Sequence, residues 1–311
     1  MKQEMTKSIP ASQKKRKLGN EEMFLHLMIL PGMIMLAIFV FVPLFGSLMA
    51  FENYVPAKGI FGSKWVGFEN FKFLFSLPDS KQVFLNTLII AFAKLVLNII
   101  IPVTFAILLN EINVKIFKRM FQTVVYLPHF LSWVVLATVV TNMFSLSGPF
   151  NAVITAFGGD AIQFMSDNSW FRKVIIGTDV WKEFGYNSVV YLAALTGISL
   201  DFYEAASIDG ANRFKQILHI TVPALLPTII LMTALNLGKI LNAGFDQIFN
   251  LYNPLVYETS DIIDTYVYRI GMVERQYSIG AAFGLLKSVI SFILILGANK
   301  CAKKTTGSGI F

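Results

Sequence analysis

The chain has 311 residues, of which 55% are hydrophobic and 14% charged, and its mean hydropathy is +0.62. A soluble domain of this size needs more polar surface to stay dispersed, so the composition excludes an ordinary soluble protein and predicts an integral membrane protein. The net charge of +7 does not indicate nucleic-acid binding, because the basic residues stand at the ends of apolar runs rather than on an aromatic-rich soluble face.

The beginning of the chain superficially resembles a secretory signal peptide, because four basic residues (14–17) precede an apolar run. The run is too long for a signal core, and no small-residue cleavage site follows it, which predicts a retained first helix. We divide the chain into a basic cytoplasmic segment (1–22), a first transmembrane helix with its outer loop (23–83), a transmembrane domain (84–299) and a cytoplasmic tail (300–311).

Six apolar segments are long enough to cross a hydrocarbon layer about 30 Å thick, which needs about 20 helical residues. Prolines in or near them are tolerated in a packed bundle. We therefore predict an all-α membrane protein with six transmembrane helices, at residues 23–51, 84–109, 120–146, 174–200, 222–245 and 277–298.

The distribution of Lys and Arg predicts the orientation of these helices, since cytoplasmic loops favour basic residues. With the N-terminus inside, the inner segments hold most of the basic residues that lie outside the spans, and the outer loops are longer and less basic. We expect both termini to face the cytoplasm (N-in/C-in), together with the segment at 200–223. Four lysines fall within spans: Lys94, Lys182, Lys239 and Lys287.

Cysteine and histidine indicate neither a disulfide nor a metal site. Cys301 is the single cysteine, so an intramolecular disulfide is impossible. The three histidines, His26, His129 and His219, are too scattered for the ligand spacing of a zinc site.

Two outer loops are rich in aromatic residues, at 51–83 and 250–276. Aromatic side chains commonly anchor helix ends at the membrane interface. A platform for an external protein that delivers cargo is the second interpretation of these loops.

The segment between the fourth and fifth spans is too long for a turn and is expected to form two short helices broken at Gly210, where a residue with a Cβ would resist the backbone turn. Ala205 and Ala206 favour helix and present little bulk. Phe214, Ile217 and Leu218 share one helical face. Pro223 is expected in the first turn of the next helix.

The residues of this segment carry a family resemblance. Glu204-Ala205-Ala206, Gly210 six places after the glutamate, and Ile220-x-Val222-Pro223 resemble the "EAA" loop of inner-membrane permease subunits of binding-protein-dependent ABC importers. The family pattern usually ends in Leu-Pro, and valine at 222 is a conservative departure. The resemblance covers about two-thirds of the chain, from about residue 86 past Pro223. Residues 65–71 and 208–211 resemble the carbohydrate-uptake branch, and the overall pattern is similar to permeases for complex oligosaccharides and polysaccharides.

The resemblance implies that the helix pair at 200–223 inserts into a cleft on an ATP-hydrolysing subunit. It also implies two ATP-binding subunits, a second permease of similar fold that completes a heterodimer, an external solute-binding protein, and a bacterial cytoplasmic (inner) membrane location. The residues implied in coupling to the ATPase are Glu204, Ala205, Ala206, Asp209, Gly210, Ala211, Phe214, Ile220 and Pro223. An interfacial amphipathic hairpin without a partner is the alternative.

Ionisable residues within spans usually face the bundle interior or a wet cavity. Five polar residues of the fourth span share one face by their spacing, and a second set lies on the fifth span. We expect these residues to line a translocation cavity, with Trp181 and Tyr186 offering aromatic surface to a sugar. The candidates are Asp179, Trp181, Lys182, Glu183, Tyr186, Asn187, Asn236, Lys239, Asn242 and Asp246. Pairing of these charges with one another, or with Lys94 or Lys287, is the structural alternative.

The predicted function is that of a non-catalytic permease subunit of an ATP-driven importer for an oligosaccharide. The sequence contains no phosphate-binding Gly-x-x-x-x-Gly-Lys-Ser/Thr loop and no nucleophile elbow. We expect no cofactor on this chain, with ATP and Mg²⁺ on partner subunits. The intramembrane lysines suggest acidic cargo, although lysines also bind neutral sugars. The alternatives are a permease for a non-sugar solute and an ion-coupled secondary carrier, for which no convincing internal repeat is present.

Overall fold

A computed structural model of the protein describes residues 20–238 and 240–306, which are mostly helical. The chain divides into two compact units, at residues 1–48 and 49–311. The described part of the first unit contains α1 (Asn20–Leu36), a π turn (Ala37–Phe41), α2 (Val42–Leu44) and the beginning of a 3-10 helix (Phe45–Phe51). Together they form a continuous helix, Met23–Phe51, with a mean hydropathy of 2.6. Its apolar side chains are exposed all round from Met23 to Phe45, as suits a lipid environment.

The second unit begins with an aromatic-rich loop. A short antiparallel pair joins β1 (Glu52–Asn53) to β2 (Lys64–Trp65), on either side of α3 (Gly59–Gly62), and α4 (Glu69–Ser76) follows. The described residues are mostly helical, which agrees with the predicted all-α class, and this short pair is a local exception among them. Phe51 stacks on Trp65 with ring centroids 5.5 Å apart, and this contact draws the two extended segments together so that their backbones pair.

Long helices form the body of the second unit. They are α5 (Pro78–Asn110), α9 (Asn168–Leu195), α12 (Val222–Leu237) and α16 (Tyr277–Thr306). Within the described residues, four helices are long and apolar enough to cross a membrane, and the number rises to six if each of two bent pairs is one span. The bent pairs are Lys115–Phe130 with Trp133–Met143 and Asn168–Leu195 with Leu200–Ile208.

The predicted third span is not one straight helix. It consists of α6 (Lys115–Tyr126), a 3-10 turn (Leu127–Phe130) and α7 (Trp133–Met143), bent by 108° at the break. Ser132 stops continuation of the helix, because its extended backbone and its side chain cap the N-terminus of α7. A short helix, α8 (Pro149–Ala156), then leads to α9, whose N-terminus is capped by Asp167.

The predicted fifth span differs from the structure at both ends. Its helix begins before Pro223, because α11 (Arg213–Gln216), a π turn (Ile217–Thr221) and α12 run together as one helix from Arg213 to Leu237. Pro223 lies in the first turn of α12, as expected, but no break precedes this turn. The π turn gives the room that the proline ring needs, since proline clashes with the carbonyl four residues earlier in a regular helix. At the other end the helix stops at Leu237 rather than 245.

Short helices connect α12 to α16. They are α13 (Phe245–Leu251), a 3-10 turn (Pro254–Val256), α14 (Tyr257–Ser260), α15 (Ile263–Val267) and a π segment (Tyr268–Val273). This segment packs closely on the beginning of α16, where a Cβ on Gly280 would lie 2.9 Å from the Cα of Gly271. Two glycines are thus required for the two backbones to approach.

Candidate functional site

The helix pair at 200–223 is a compact hairpin. Its first helix, α10 (Leu200–Ile208), begins with Ser199 as the N-cap and ends with Gly210 in the left-handed region, at φ +80°. The amide of Ala211 donates to the carbonyl of Ala206 at 2.9 Å and that of Gly210 to Ser207 at 3.1 Å, which is the Schellman arrangement. The predicted break at Gly210 is therefore present.

One buried side chain fastens the two helices of the hairpin. Gln216, on α11, is 4% exposed, and its amide donates to the hydroxyl of Ser207 at 2.8 Å and to the carbonyl of Ala211 at 3.3 Å. The hydroxyl groups of Tyr203 and Thr221 lie 2.9 Å apart and add a second link. These bonds join α10 to the helix that continues into α12, so the hairpin and that helix form one unit.

The outer surface of the hairpin presents large apolar side chains. Ile208 is 86% exposed, and Phe202 and Phe214 are also exposed. Of the predicted coupling residues, most are exposed and three are half-buried, namely Ala206, Ala211 and Ile220. Exposed apolar side chains on a polar loop indicate a surface that another protein covers.

A polar cavity of about 190 Å³ lies between α5, α9 and the end of α12. Four predicted residues, Asp179, Asn187, Asn236 and Asn242, line it together with Lys94, Asn98 and Gly244. Lys94 Nζ lies 3.0 Å from Asp179 and donates to the carbonyl of Ala243 at 2.8 Å and to Gln247 at 2.5 Å. Its three donors are thus all used, so the ammonium group is neutralised by the protein.

A second group of predicted residues meets His129 rather than this cavity. Glu183 Oε2 lies 2.7 Å from His129 Nδ1, and Lys182 donates to the carbonyl of His129 at 2.8 Å and to Glu183 at 3.1 Å. The ring of Tyr186 stacks on that of His129, with centroids 3.9 Å apart and planes 2° apart. The cluster holds the break between α6 and α7 against α9.

The remaining candidates have separate positions. Trp181 lies on the opposite side of α9, because two residues beyond Asp179 turn a helix by about 200°. The side chain of Asp246 is exposed. Lys239 lies outside the described residues. Asn242 accepts a hydrogen bond from Lys287 at 2.8 Å, and Lys287 also pairs with Asp264 at 2.7 Å.

Sequence reasoning did not select His129, Asn98, Gln247 or Gln216 as site residues. The signal for His129 is its place after Pro128 within an apolar segment, where an imidazole has no water to solvate it. Gln216 and Gln247 carry no comparable signal, because a glutamine on a helix is ordinary until its partners are known.

The segment beyond α12 contains a third cluster, centred on the ion pair between buried Asp261 and half-buried Arg269. Burial raises the pKa of Asp261, and the hydrogen bonds from Arg269 and Thr265 oppose that shift. The guanidinium of Arg269 lies 4.4 Å from the ring centre of Tyr257. Burial also raises the pKa of Tyr252 and of Tyr266 to about 12. These contacts join α14, α15 and the π segment that follows them.

The fold and the polar cavity define a class of protein: a permease that spans the membrane with several helices. Residues 99–305 match the family described as "Binding-protein-dependent transport system inner membrane component". The chain belongs to this family.

Curated relatives are similar over nearly the whole chain. Protein LplB of Bacillus subtilis (strain 168) is 41% identical over 93% of this chain and 91% of its own length. The polygalacturonan/rhamnogalacturonan transport system permease protein YteP of the same organism is 38% identical over 94% of this chain and 91% of its own length. The relatives are thus transport permease subunits in the cases where their names state a role.

Solved structures of a bacterial ABC transporter involved in the import of the acidic polysaccharide alginate have the same fold. One chain gives a TM-score of 0.85 with 36% identity and covers 92% of this chain and 97% of its own length. The transporter is also solved in complex with an alginate pentasaccharide-bound periplasmic protein, with the same TM-score and identity, over 93% of this chain and 97% of that one.

Proposed function

We propose that this chain is the membrane-spanning permease subunit of an ABC importer that translocates an oligosaccharide delivered by an external solute-binding protein. Family membership and the similarity to carbohydrate permeases support this function over an ion-coupled carrier. Acidic oligosaccharides from polysaccharides are the first candidates for cargo, because one relative and one structural neighbour have names that specify such polymers.

The observation that carries the proposal is the fastened hairpin with its exposed apolar side chains. Gln216 makes the hairpin rigid, and Phe202, Ile208 and Phe214 project from it. A rigid hairpin with exposed apolar side chains suits a hydrophobic groove on another protein. In the proposed complex that protein is an ATPase subunit, and ATP-driven closure of two such subunits moves the hairpins and the spans attached to them.

The polar cavity is the proposed passage for cargo. Its amide side chains, Asn98, Asn187, Asn236 and Asn242, offer both donors and acceptors to sugar hydroxyls. Lys94, Lys182 and Lys287 already have acceptors in this conformation. A cargo carboxylate therefore binds Lys94 or Lys287 only by displacing a protein acceptor, since each of these ammonium groups already has three acceptor contacts. Recognition of a charged sugar at these two lysines depends on rearrangement.

The same proposal includes the membrane topology, the nucleotide and the partner subunits. Six spans with both termini inside place the hairpin in the cytoplasm and the segment at 250–276 outside, in a bacterial cytoplasmic membrane. The chain itself binds no cofactor, and ATP with Mg²⁺ is bound by two partner subunits. A second permease of similar fold completes a heterodimer, and the solute-binding protein docks on the outer face.

Cross-linking and reconstitution test this function together. A cysteine at Ala206 or Ala211, in a Cys301→Ser background, is expected to cross-link to an ATPase subunit, and a cysteine at exposed Phe61 in the outer loop is the matched control. Vesicles containing the complex should accumulate oligosaccharide only with ATP and the binding protein. Uptake without nucleotide, or a hairpin cysteine that captures no ATPase, contradicts the proposal.

The cargo class is tested separately, with the solute-binding protein. Calorimetry with uronic-acid oligosaccharides and with neutral oligosaccharides of equal length should show tighter binding of the acidic series. Binding of amino acids or polyamines in place of sugars would leave the importer function intact and overturn the cargo assignment.

A further inference from the structure

The side of α9 opposite the polar cavity faces a second cavity, of about 400 Å³, between α7, α8 and α9. Its walls are aromatic and apolar. Phe144 stacks on Phe150 with centroids 4.4 Å apart and meets Phe164 edge to face at 5.4 Å. Trp170 and Trp181, one near each end, complete the walls. We call this space the aromatic cavity.

The polar groups of the aromatic cavity do not suit a sugar. The hydroxyl of Thr178 donates to the carbonyl of Val174 at 2.7 Å and accepts from Gln247 at 2.9 Å, so it has no donor left. Lys173 is the single charged residue of the lining. Sugar recognition requires several free donors and acceptors, whereas a cavity with apolar walls favours an apolar ligand.

The charge and the apolar surface are arranged along the axis of α9. Lys173 lies near the beginning of α9, and its ammonium is 4.2 Å from the ring centre of Trp170. Trp181 lies eight residues further, about 12 Å along the helix. A lysine beside a tryptophan is typical of the membrane interface, where head groups lie. The apolar wall that follows along α9 is typical of the level at which acyl chains lie.

Gly177 opens the cavity between these two ends. A Cβ built on Gly177 has no atom within 4 Å, although the residue lies in the middle of a long helix. The missing side chain leaves a groove past which a narrow ligand can extend. A helix with its side chains is about 10 Å across, so a single acyl chain is the narrower of the two apolar ligands that a membrane offers.

We propose that the aromatic cavity binds one phospholipid of the outer leaflet. The phosphate lies against Lys173, and one acyl chain passes Gly177 toward Trp181. The assignment to the outer leaflet rests on the proposed orientation, in which α9 begins outside. The bound chain fills space between α7 and α9 that no side chain of the described residues fills, and so stabilises the bent third span.

Native mass spectrometry of the purified importer complex tests the site, after exchange from nanodiscs of phosphatidylglycerol and phosphatidylcholine into detergent. Wild type should retain one phosphatidylglycerol. The Cβ of Gly177→Leu meets no protein atom within 4 Å, and the leucine side chain, by displacing methylene groups from the groove, should lower retention about tenfold. Gly284→Leu is the matched control, because Gly284 is equally open in another long helix.

Lys173→Glu is the second variant, and it keeps the test decisive if Gly177→Leu does not fold. It should abolish the preference for phosphatidylglycerol over phosphatidylcholine, because the residue is exposed and acts on the head group. Equal retention by wild type and Gly177→Leu overturns the proposal. So does unchanged lipid retention combined with loss of the second permease from the Gly177→Leu complex, which assigns the cavity to a protein. The measurement uses neither ATP nor cargo, so its failure is distinct from failure of the importer function.

Discussion

Lys94 on α5 and Asp179 on α9 form an ion pair of 3.0 Å, with side chains only 8% and 16% exposed. Both residues line the polar cavity, and Asn98 donates to the second carboxylate oxygen of Asp179 at 3.1 Å. The pair therefore serves two purposes, since it joins the helices and presents a neutralised surface to the cavity.

Removing one partner of this pair should destabilise the protein more than removing both. Lys94→Met leaves a carboxylate without its cation, and we expect a loss of about 3 kcal/mol in the free energy of unfolding. The double variant Lys94→Met/Asp179→Leu should recover most of that loss. Thermal unfolding in detergent measures the cycle. Additive effects of the two substitutions would show that the ion pair contributes nothing.

Gln216→Ala should uncouple transport from ATP hydrolysis. The substitution removes the donor that joins α10 to α11, at a cost of about 1–3 kcal/mol. We expect assembly with the ATPase to persist while uptake per ATP hydrolysed falls. Lys215→Ala is the control, because its exposed side chain precedes Gln216 in the same helix. Full coupling in Gln216→Ala would show that the hairpin keeps its shape without this side chain.

Gly244→Ala should collapse the polar cavity. Gly244 has φ +97°, and a Cβ there would lie 2.7 Å from the Nζ of Lys94. The left-handed backbone alone costs about 1–3 kcal/mol for a residue with a side chain, and Lys94 must also move. A lower unfolding temperature and reduced uptake are expected. Gly297→Ala, in open space on α16, should change neither quantity.

Glu183→Ala distinguishes cargo contact from a structural role of the His129 cluster. Lys182 keeps the carbonyl of His129 as an acceptor in this variant, so the break in the third span should survive. If Glu183 contacts sugar, the rate or selectivity of uptake changes while ATPase coupling stays intact. Unchanged uptake of every oligosaccharide tested would assign Glu183 to the structure alone. Lys239→Ala, tested alongside, addresses the candidate that lies outside the described residues.

Arg269→Met should make stability strongly dependent on pH. Arg269 opposes the burial that raises the pKa of Asp261, so its removal raises that pKa further. A carboxyl with a raised pKa in the folded state takes up a proton more readily than in the unfolded state, so stability is regained as the pH falls. We expect a deficit of about 3 kcal/mol at neutral pH that shrinks toward acid pH. A deficit independent of pH would contradict this assignment.

Hydropathy located most of the helices, and Gly210 located the break in the hairpin, because both depend on local composition and backbone freedom. The bend before Trp133 was not predicted, since Ser132 stops the helix through a cap that hydropathy does not register. The π turn before Pro223 was also not predicted. A proline either starts a helix or follows a π turn within one, and the conformation of the preceding turn, which hydropathy does not register, decides between the two.

The candidate site was predicted less completely than the fold. Helical spacing placed Asp179 and Glu183 on one face, but the position of His129 decides which of them meets the cavity and which meets the third span. Trp181 was selected because its ring offers an aromatic surface to a sugar, but it lies on the side of α9 that faces away from the polar groups. Partners from distant parts of the chain determine such roles, and a single sequence does not display them.

The uninterrupted helix from Arg213 to Leu237 has a mechanical consequence. Phe214 lies near one end and Asn236 near the other, about 33 Å apart along the axis. α9, in contrast, meets α10 at a bend of 74°. A displacement of the hairpin at Phe214 is thus transmitted to Asn236 along one helix, which contains a π turn and Pro227 but no bend like that between α9 and α10.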